Sequence, residues 1–218
     1  MEKKITIAID AMGGDNSPDK TISGVHLFLK KNSSNNDFLL NLFFDENKIK
    51  EYLSKYNVST NLIKITHTNS VVSDEETPLT AVKNSKNTSM WNCINSQITD
   101  NSDISLSAGN TGVLLVISRM ILKTMDEINK PALAGLWPSR AGMSVVMDLG
   151  ANIECNEDNL VDFSEMGAAL YKALFPNEKP KVSLLNIGSE EIKGTEVLKK
   201  AYNKLKEISK YDDFIFNG

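Results

Sequence analysis

"IAIDAMGGDNSP", residues 7–18, sets the reading of the whole chain. An apolar strand pattern ends on Asp10, two glycines follow at Gly13 and Gly14, and Ser17-Pro18-Asp19 opens a helix. Those three residues supply a capping hydroxyl, a proline for the first turn and an acid for its positive end. Strand, tight turn and helix in immediate succession are the first unit of an α/β sheet. The glycine pair lets the backbone approach something closely. Taken alone, it reads as an ordinary strand-to-helix turn.

Working outward, apolar runs of strand length recur at 4–9, 38–44, 62–67, 103–107, 132–137, 144–149, 181–187 and 213–216. Between them lies helical spacing: Ile22, Val25, Leu29; Ile49, Leu53, Tyr56; Leu160, Phe163, Gly167, Leu170, Leu174; Val197, Ala201, Leu205, Ile208. The nearly all-apolar run after Gly112 reads as a buried helix. This alternation predicts a layered α/β/α sandwich built on a mixed, mainly parallel sheet. The antiparallel component comes from "SRAG" at 139–142, too short a link for a crossover helix. No Pro/Gly/Ser-rich linker divides the sequence, so residues 1–218 are expected to form a single domain.

Composition narrows the function. With 24 Lys and Arg against 28 Asp and Glu, the formal charge is -4, which argues against a general nucleic-acid binder. Arg119 and Arg140 are the only arginines, so any cation a ligand needs is expected to come largely from lysine. No apolar run reaches the ~20 residues of a membrane-spanning helix, and the chain enters its first strand directly, which predicts a cytoplasmic protein. Cys93 and Cys155 are expected as reduced thiols, and with His26 and His67 isolated no zinc or other metal site is expected. Covalent catalysis has no support either: there is no Gly-x-Ser-x-Gly elbow, and neither cysteine has a histidine near it in sequence. Cys155 reads as a packing residue. His67 is a general base or, the simpler reading, a structural histidine.

The glycine turn at 13–14 is not isolated. "DISLSAGNTGVLLV" (103–116) puts Ser107, Gly109, Asn110 and Thr111 between a strand and the apolar helix. "VVMDLGANIEC" (145–155) ends a strand on Asp148 and continues to Asn152; "VSLLNIGSEEIKG" (182–194) ends on Asn186, then Gly188, Ser189 and a helix holding Lys193. In an open α/β sheet such exits gather at the carboxyl edge, where ligands bind. Helix-start amides beside hydroxyls suit phosphate. The spacing matches neither the phosphate-binding lysine loop nor the dinucleotide glycines, so a small phosphate is expected rather than a nucleotide. Phosphate or substrate is assigned to Gly13, Gly14, Asp15, Ser107, Gly109, Asn110, Thr111, Asn152 and Gly188, and catalysis to Asp10, Asp148, Asn186 and Lys193.

Among the catalytic candidates, each aspartate either orders amides, holds a lysine or accepts a proton, or simply caps a turn. Lys193, placed in or near the first turn of a helix, opposes the macrodipole there, which points to a ligand. Glu190 and Glu191 offer the rival account as ion-pair partners worth ~0.2–0.5 kcal/mol.

"DAMGGDNSP", "SAGNTG", "DLGANIEC" and "LLNIGSEEIKG", in this order, resemble the phosphate acyltransferases of the PlsX type, as do "TPLTAVKNSKNTSM" (77–90) and "KPALAGLWPS" (130–139). The family continues beyond the final "FIFNG", so the resemblance implies a domain incomplete at its C-terminus. It further implies transfer of a fatty acyl group from acyl carrier protein to inorganic phosphate, no metal or organic cofactor, a homodimer and peripheral membrane association. A phosphotransacetylase-like enzyme using coenzyme A and a non-catalytic phosphate or carrier-protein module are the alternatives.

Overall fold

The computed structural model describes residues 4–73, 75–140, 142–188, 193–211 and 213–218. Within the single domain expected from the sequence, contacts cluster into two compact units, Met1–Lys123 and Thr124–Gly218.

The first unit runs β1 (Ile5–Asp10), α1 (Asp19–Lys31), β2 (Phe38–Phe44), α2 (Glu46–Lys55), β3 (Ile63–His67), α3 (Pro78–Asn84), α4 (Ser89–Thr99), β4 (Ile104–Leu106) and α5 (Thr111–Leu122). Its sheet has the order β3-β2-β1-β4 with every pair parallel. β2, "FLLNLFF", is apolar almost throughout because both of its faces are covered. Phe38, Leu40, Leu42 and Phe44 pack with Ile22, Val25, Ile49 and Leu53 of α1 and α2. On the opposite face Phe43 meets Ala8 and Cys93 of α4. Asn41, buried on that face, accepts a hydrogen bond from Thr66 Oγ1 at 2.8 Å. Helices thus lie on both sides of this parallel sheet, the layered α/β arrangement expected.

Two local expectations need correction. Ser17 does not cap α1: Pro18 occupies that position with no side-chain cap, and Ser17 Oγ instead donates to Gly13 O at 2.7 Å. α3 and α4 were not anticipated. α4, "SMWNCINSQIT", hides its apolar stripe among polar residues, of which Ser96 turns its hydroxyl back to Cys93 O at 2.7 Å. Thr88 caps its start, where Thr88 Oγ1 accepts from Trp91 N–H at 3.2 Å. α5 forms as expected and buries Val113, Ile117 and Ile121 against Met90 and Ile94 of α4.

The second unit contains β5 (Ala134–Ser139), β6 (Gly142–Met147), α6 (Glu157–Leu174), β7 (Lys181–Val182), α7 (Glu196–Ile208) and β8 (Ile215–Phe216). β5 and β6 are the expected antiparallel pair, registered from Ala134↔Met147 to Ser139↔Gly142. Among the described residues they form a two-stranded sheet. α6 starts with a capping box between Asn156 and Asn159, and Val161 and Ala168 on it pack with Leu205 of α7 and Phe214. The strand expected over 181–187 stops at Val182, where its pairing with β8 ends. Beyond it Leu185 and Ile187 are 92% and 85% exposed, so their alternation with Asn186 has no apolar face to bury.

Candidate functional site

The register of the parallel sheet builds the first cluster. Ile9 is paired with Leu106, so the next residues outward, Asp10 and Ser107, leave β1 and β4 side by side. Asp10 is 3% exposed and both of its oxygens have donors. Oδ2 accepts from Ser107 Oγ at 2.7 Å, and Oδ1 accepts from Met12 N–H at 3.2 Å. Ser107 Oγ in turn accepts from Gly109 N–H at 3.2 Å.

The two glycine turns lie directly against one another. A methyl group at Gly13 would stand 2.6 Å from Ser107 Oγ and 2.8 Å from the amide nitrogens of Ala108 and Gly109. Gly14 has φ +89°, and a methyl there would meet Ala108 O at 2.8 Å. The structure therefore brings Asp10, Gly13, Gly14, Ser107 and Gly109 together. Asn110 follows as the cap of α5: its Oδ1 accepts from Val113 N–H at 3.1 Å, and its Nδ2 donates to Glu76 O at 3.1 Å. Thr111 and Gly112 occupy the first turn of α5, where amides have no acceptor within the helix. Thr111 is exposed there, and Asp15 is exposed further along the first turn.

Sequence reasoning missed two neighbours of this cluster. Cys93, fully buried behind β1, donates its thiol to Leu106 O at 3.7 Å, and burial first, then the charge of Asp10, pushes its pKa up to about 12. Glu76 has a buried carboxyl oxygen, Oε2, with no hydrogen-bond partner among the described residues. Its backbone contact with Asn110 depends on tertiary structure and leaves no mark in the local sequence.

In the second unit Asp148 and Asn152 form one loop brace. Asp148 sits at φ +60°, a conformation that aspartate tolerates better than most residues. Its Oδ1 accepts from Asn152 N–H at 3.1 Å and from Asn152 Nδ2 at 3.0 Å. Asn152 Nδ2 also donates to Pro131 O at 3.0 Å, and Cys155 Sγ donates to Asp148 Oδ2 at 3.6 Å. Burial first, and then the Asp148 charge, raise the Cys155 pKa, which keeps it a thiol. Lys130 Nζ donates to Glu154 O at 2.8 Å on the same loop.

Asn186 and Lys193 belong to a third group. Asn186 Oδ1 accepts from Ile187 N–H at 2.8 Å, while its Nδ2 donates to Lys193 O at 3.4 Å. Gly188 is half-buried, and Ser189, Glu190 and Glu191 lie outside the described residues. Lys193 is exposed and precedes α7, which begins at Glu196 with Thr195 Oγ1 accepting from Leu198 N–H at 3.3 Å. Lys193 thus lies near the first turn of α7 and not within it, with Gly194, at φ +90°, between Lys193 and the helix.

Elsewhere, His67 takes the structural reading. Its Nδ1 accepts from Glu46 N–H at 3.1 Å, which leaves the proton on Nε2 to donate to Asn69 Oδ1 at 2.6 Å. Among the described residues no group of three or more His, Cys, Asp or Glu side chains is placed to hold a metal ion. No helix among them is long and apolar enough to cross a membrane.

Solved structures of two phosphotransacetylases are similar to this fold. A phosphotransacetylase from Streptococcus pyogenes superposes with a TM-score of 0.69 at 14% identity, covering 100% of this chain and 68% of that one. The EutD phosphotransacetylase from Staphylococcus aureus gives 0.64 at 12% identity, over 99% and 68%. At such identities the likeness is one of fold.

Sequence comparison is more specific. The chain belongs to the fatty acid synthesis protein family, whose model matches residues 5–218. It is 50% identical over 218 residues to a protein of Pelagibacter ubique named phosphate acyltransferase, covering 100% of this chain and 64% of that relative. It is 38% identical over 208 residues to one of the same name from Azorhizobium caulinodans, covering 95% and 58%. The chain thus spans about three fifths of the length of these relatives.

Proposed function

We propose that this chain carries the phosphate-holding part of an acyltransferase that moves a fatty acyl group from the thioester of acyl carrier protein to inorganic phosphate. The observation that carries the reading is the contact of the two glycine turns, held by Asp10 and Ser107, beside the start of α5. Family membership and the names of the relatives support the acyl and phosphate chemistry.

The reaction asks little covalent chemistry of the protein. A phosphate oxygen attacks the thioester carbonyl carbon, the tetrahedral oxyanion collapses, and the carbon–sulfur bond breaks. The products are acyl phosphate and the carrier thiol, which takes the proton that phosphate gives up. Catalysis is then mainly positioning of the dianion against the carbonyl, together with stabilisation of the oxyanion. In this account Gly13 and Gly109 let the two turns approach closely, and Gly14, Asp15, Asn110 and Thr111 present amides and hydroxyls to phosphate. Within the second unit Asp148 orders the 148–155 loop with Asn152, and Asn186 holds the backbone at Lys193, whose ammonium is assigned to catalysis. No metal or organic cofactor takes part. Cytoplasmic location, a homodimer and peripheral membrane contact complete this reading, on the strength of family membership alone.

The phosphotransacylase fold favours a second reading, in which the donor is a short acyl thioester of coenzyme A. Acyl phosphate trapped as hydroxamate, with palmitoyl carrier protein and acetyl coenzyme A as alternative donors, separates the two. Formation only from the carrier-protein donor supports the first; formation only from acetyl coenzyme A replaces it with the second. Phosphate binding without either product leaves a binding module.

A further inference from the structure

We propose that Asp10 is a positioning residue that acts through Ser107, fixing the turn 107–109 against the turn 13–14. This rests on the phosphate-holding role given to those turns above. A general base at Asp10 would need an oxygen open to the substrate, but the carboxylate is 3% exposed and both oxygens already accept hydrogen bonds. Behind it, Ala8, Phe43 and Cys93 form a buried cluster, so water is a poor substitute for either donor.

The direction of the hydrogen bonds then follows from donor and acceptor inventory. Asp10 Oδ2 accepts from the Ser107 hydroxyl, whose lone pairs remain to accept from Gly109 N–H. One carboxylate therefore sets the hydroxyl, and the hydroxyl sets the Gly109 amide. Gly109 faces Gly13 closely: a methyl group added to Gly109 would lie 3.4 Å from Gly13 Cα and 3.3 Å from Ser107 Oγ. The same relay spends the Ser107 hydroxyl proton on Asp10, so Ser107 serves to hold a loop and not to attack the acyl group.

The test has two arms. In the ¹⁵N-labelled chain, Ser107→Ala is expected to speed amide hydrogen exchange at Gly109 at least tenfold and to weaken inorganic phosphate binding about tenfold. Ser107→Thr, which keeps the hydroxyl, restores both to within a few fold of the parent. Asp10→Asn turns an NH₂ toward one of the two donors and moves the Gly109 amide in the same direction, and the Asp10→Asn/Ser107→Ala pair moves it no further than Ser107→Ala alone.

In the full-length enzyme Asp10→Asn lowers kcat/KM at every pH without changing the shape of the pH profile. Unchanged exchange at Gly109 in Ser107→Ala, no rescue by threonine, or loss of a pH limb in Asp10→Asn overturns the proposal. A parent chain that binds no phosphate overturns the functional reading instead, and the Gly109 exchange still decides the role of the relay.

Discussion

Gly13→Ala tests the contact between the glycine turns in isolation. Gly13 lies outside the left-handed φ region, so its backbone accepts alanine and the whole effect is steric. The new methyl would stand 2.8 Å from two backbone nitrogens, where ordinary contact begins at 3.4 Å, so the turns must part by about 0.6 Å (3.4 − 2.8). Ser107 Oγ, at 2.6 Å, cannot swing away without giving up Asp10. Overpacking of this kind costs about 1–3 kcal/mol. With a urea dependence of about 2 kcal/mol per molar, the unfolding midpoint falls by roughly 1 M.

The matched control is Gly24→Ala. Gly24 is exposed in the middle of α1 with no atom within 4 Å of the added methyl, so this variant gains about 0.5–1 kcal/mol of helix stability. Urea unfolding followed by Trp91 fluorescence in a Trp137→Phe background reports on the first unit, and a phosphate titration reads the site. Gly13→Ala is expected to lose stability and about tenfold in phosphate affinity, while Gly24→Ala gains stability and binds as the parent does. A Gly13→Ala chain with the parent's midpoint and affinity would refute the close contact.

Thr111→Val keeps the shape of the first turn of α5 and removes one hydroxyl; phosphate affinity should fall while the urea midpoint holds, and an unchanged affinity removes Thr111 from the site. Lys193→Met in the full-length enzyme should lower turnover at least tenfold, about 1.4 kcal/mol of transition-state stabilisation, and an equal kcat/KM at two phosphate concentrations would mark Lys193 as a solvated charge. Cys93 gives a pH signature, because its thiol, pushed up to about 12, keeps a proton that the unfolded chain releases near its ordinary value of 9.0. The stability this supplies is fully present below that lower value and is lost as pH climbs toward the upper one, at up to ~1.4 kcal/mol per pH unit. The parent's urea midpoint should therefore fall more steeply from about pH 8.5 to about 10.5 than that of Cys93→Ala; equal slopes contradict it.

What the sequence revealed and what it concealed divide along physical lines. β1 and β2 were legible as short apolar runs, β3 from the alternation of Ile63 and Ile65 with polar residues, and α5 from the nearly all-apolar run after Gly112. The antiparallel β5–β6 pair was legible from loop length alone. α4 was hidden because buried Ser89 and Ser96 interrupt its apolar period, Ser96 turning its hydroxyl to Cys93 O. The 181–187 strand was over-extended because alternation at Leu185 and Ile187 signals a strand only where a neighbouring chain covers it. In the candidate site, the small residues and aspartates announced themselves as strand exits. The link from Asp10 to Ser107 spans 97 positions and follows from the offset that pairs Ile9 with Leu106, which no local pattern encodes.

Acyl phosphate formation by the full-length protein, from palmitoyl carrier protein and inorganic phosphate, is the most direct measurement of all. The hydroxamate-trapped product should appear in proportion to both substrates, with one carrier thiol released per acyl phosphate, and should fall at least tenfold in Lys193→Met. Carrier thiol released at the same rate without phosphate, or no acyl phosphate at saturating concentrations of both substrates, would contradict acyl transfer to phosphate.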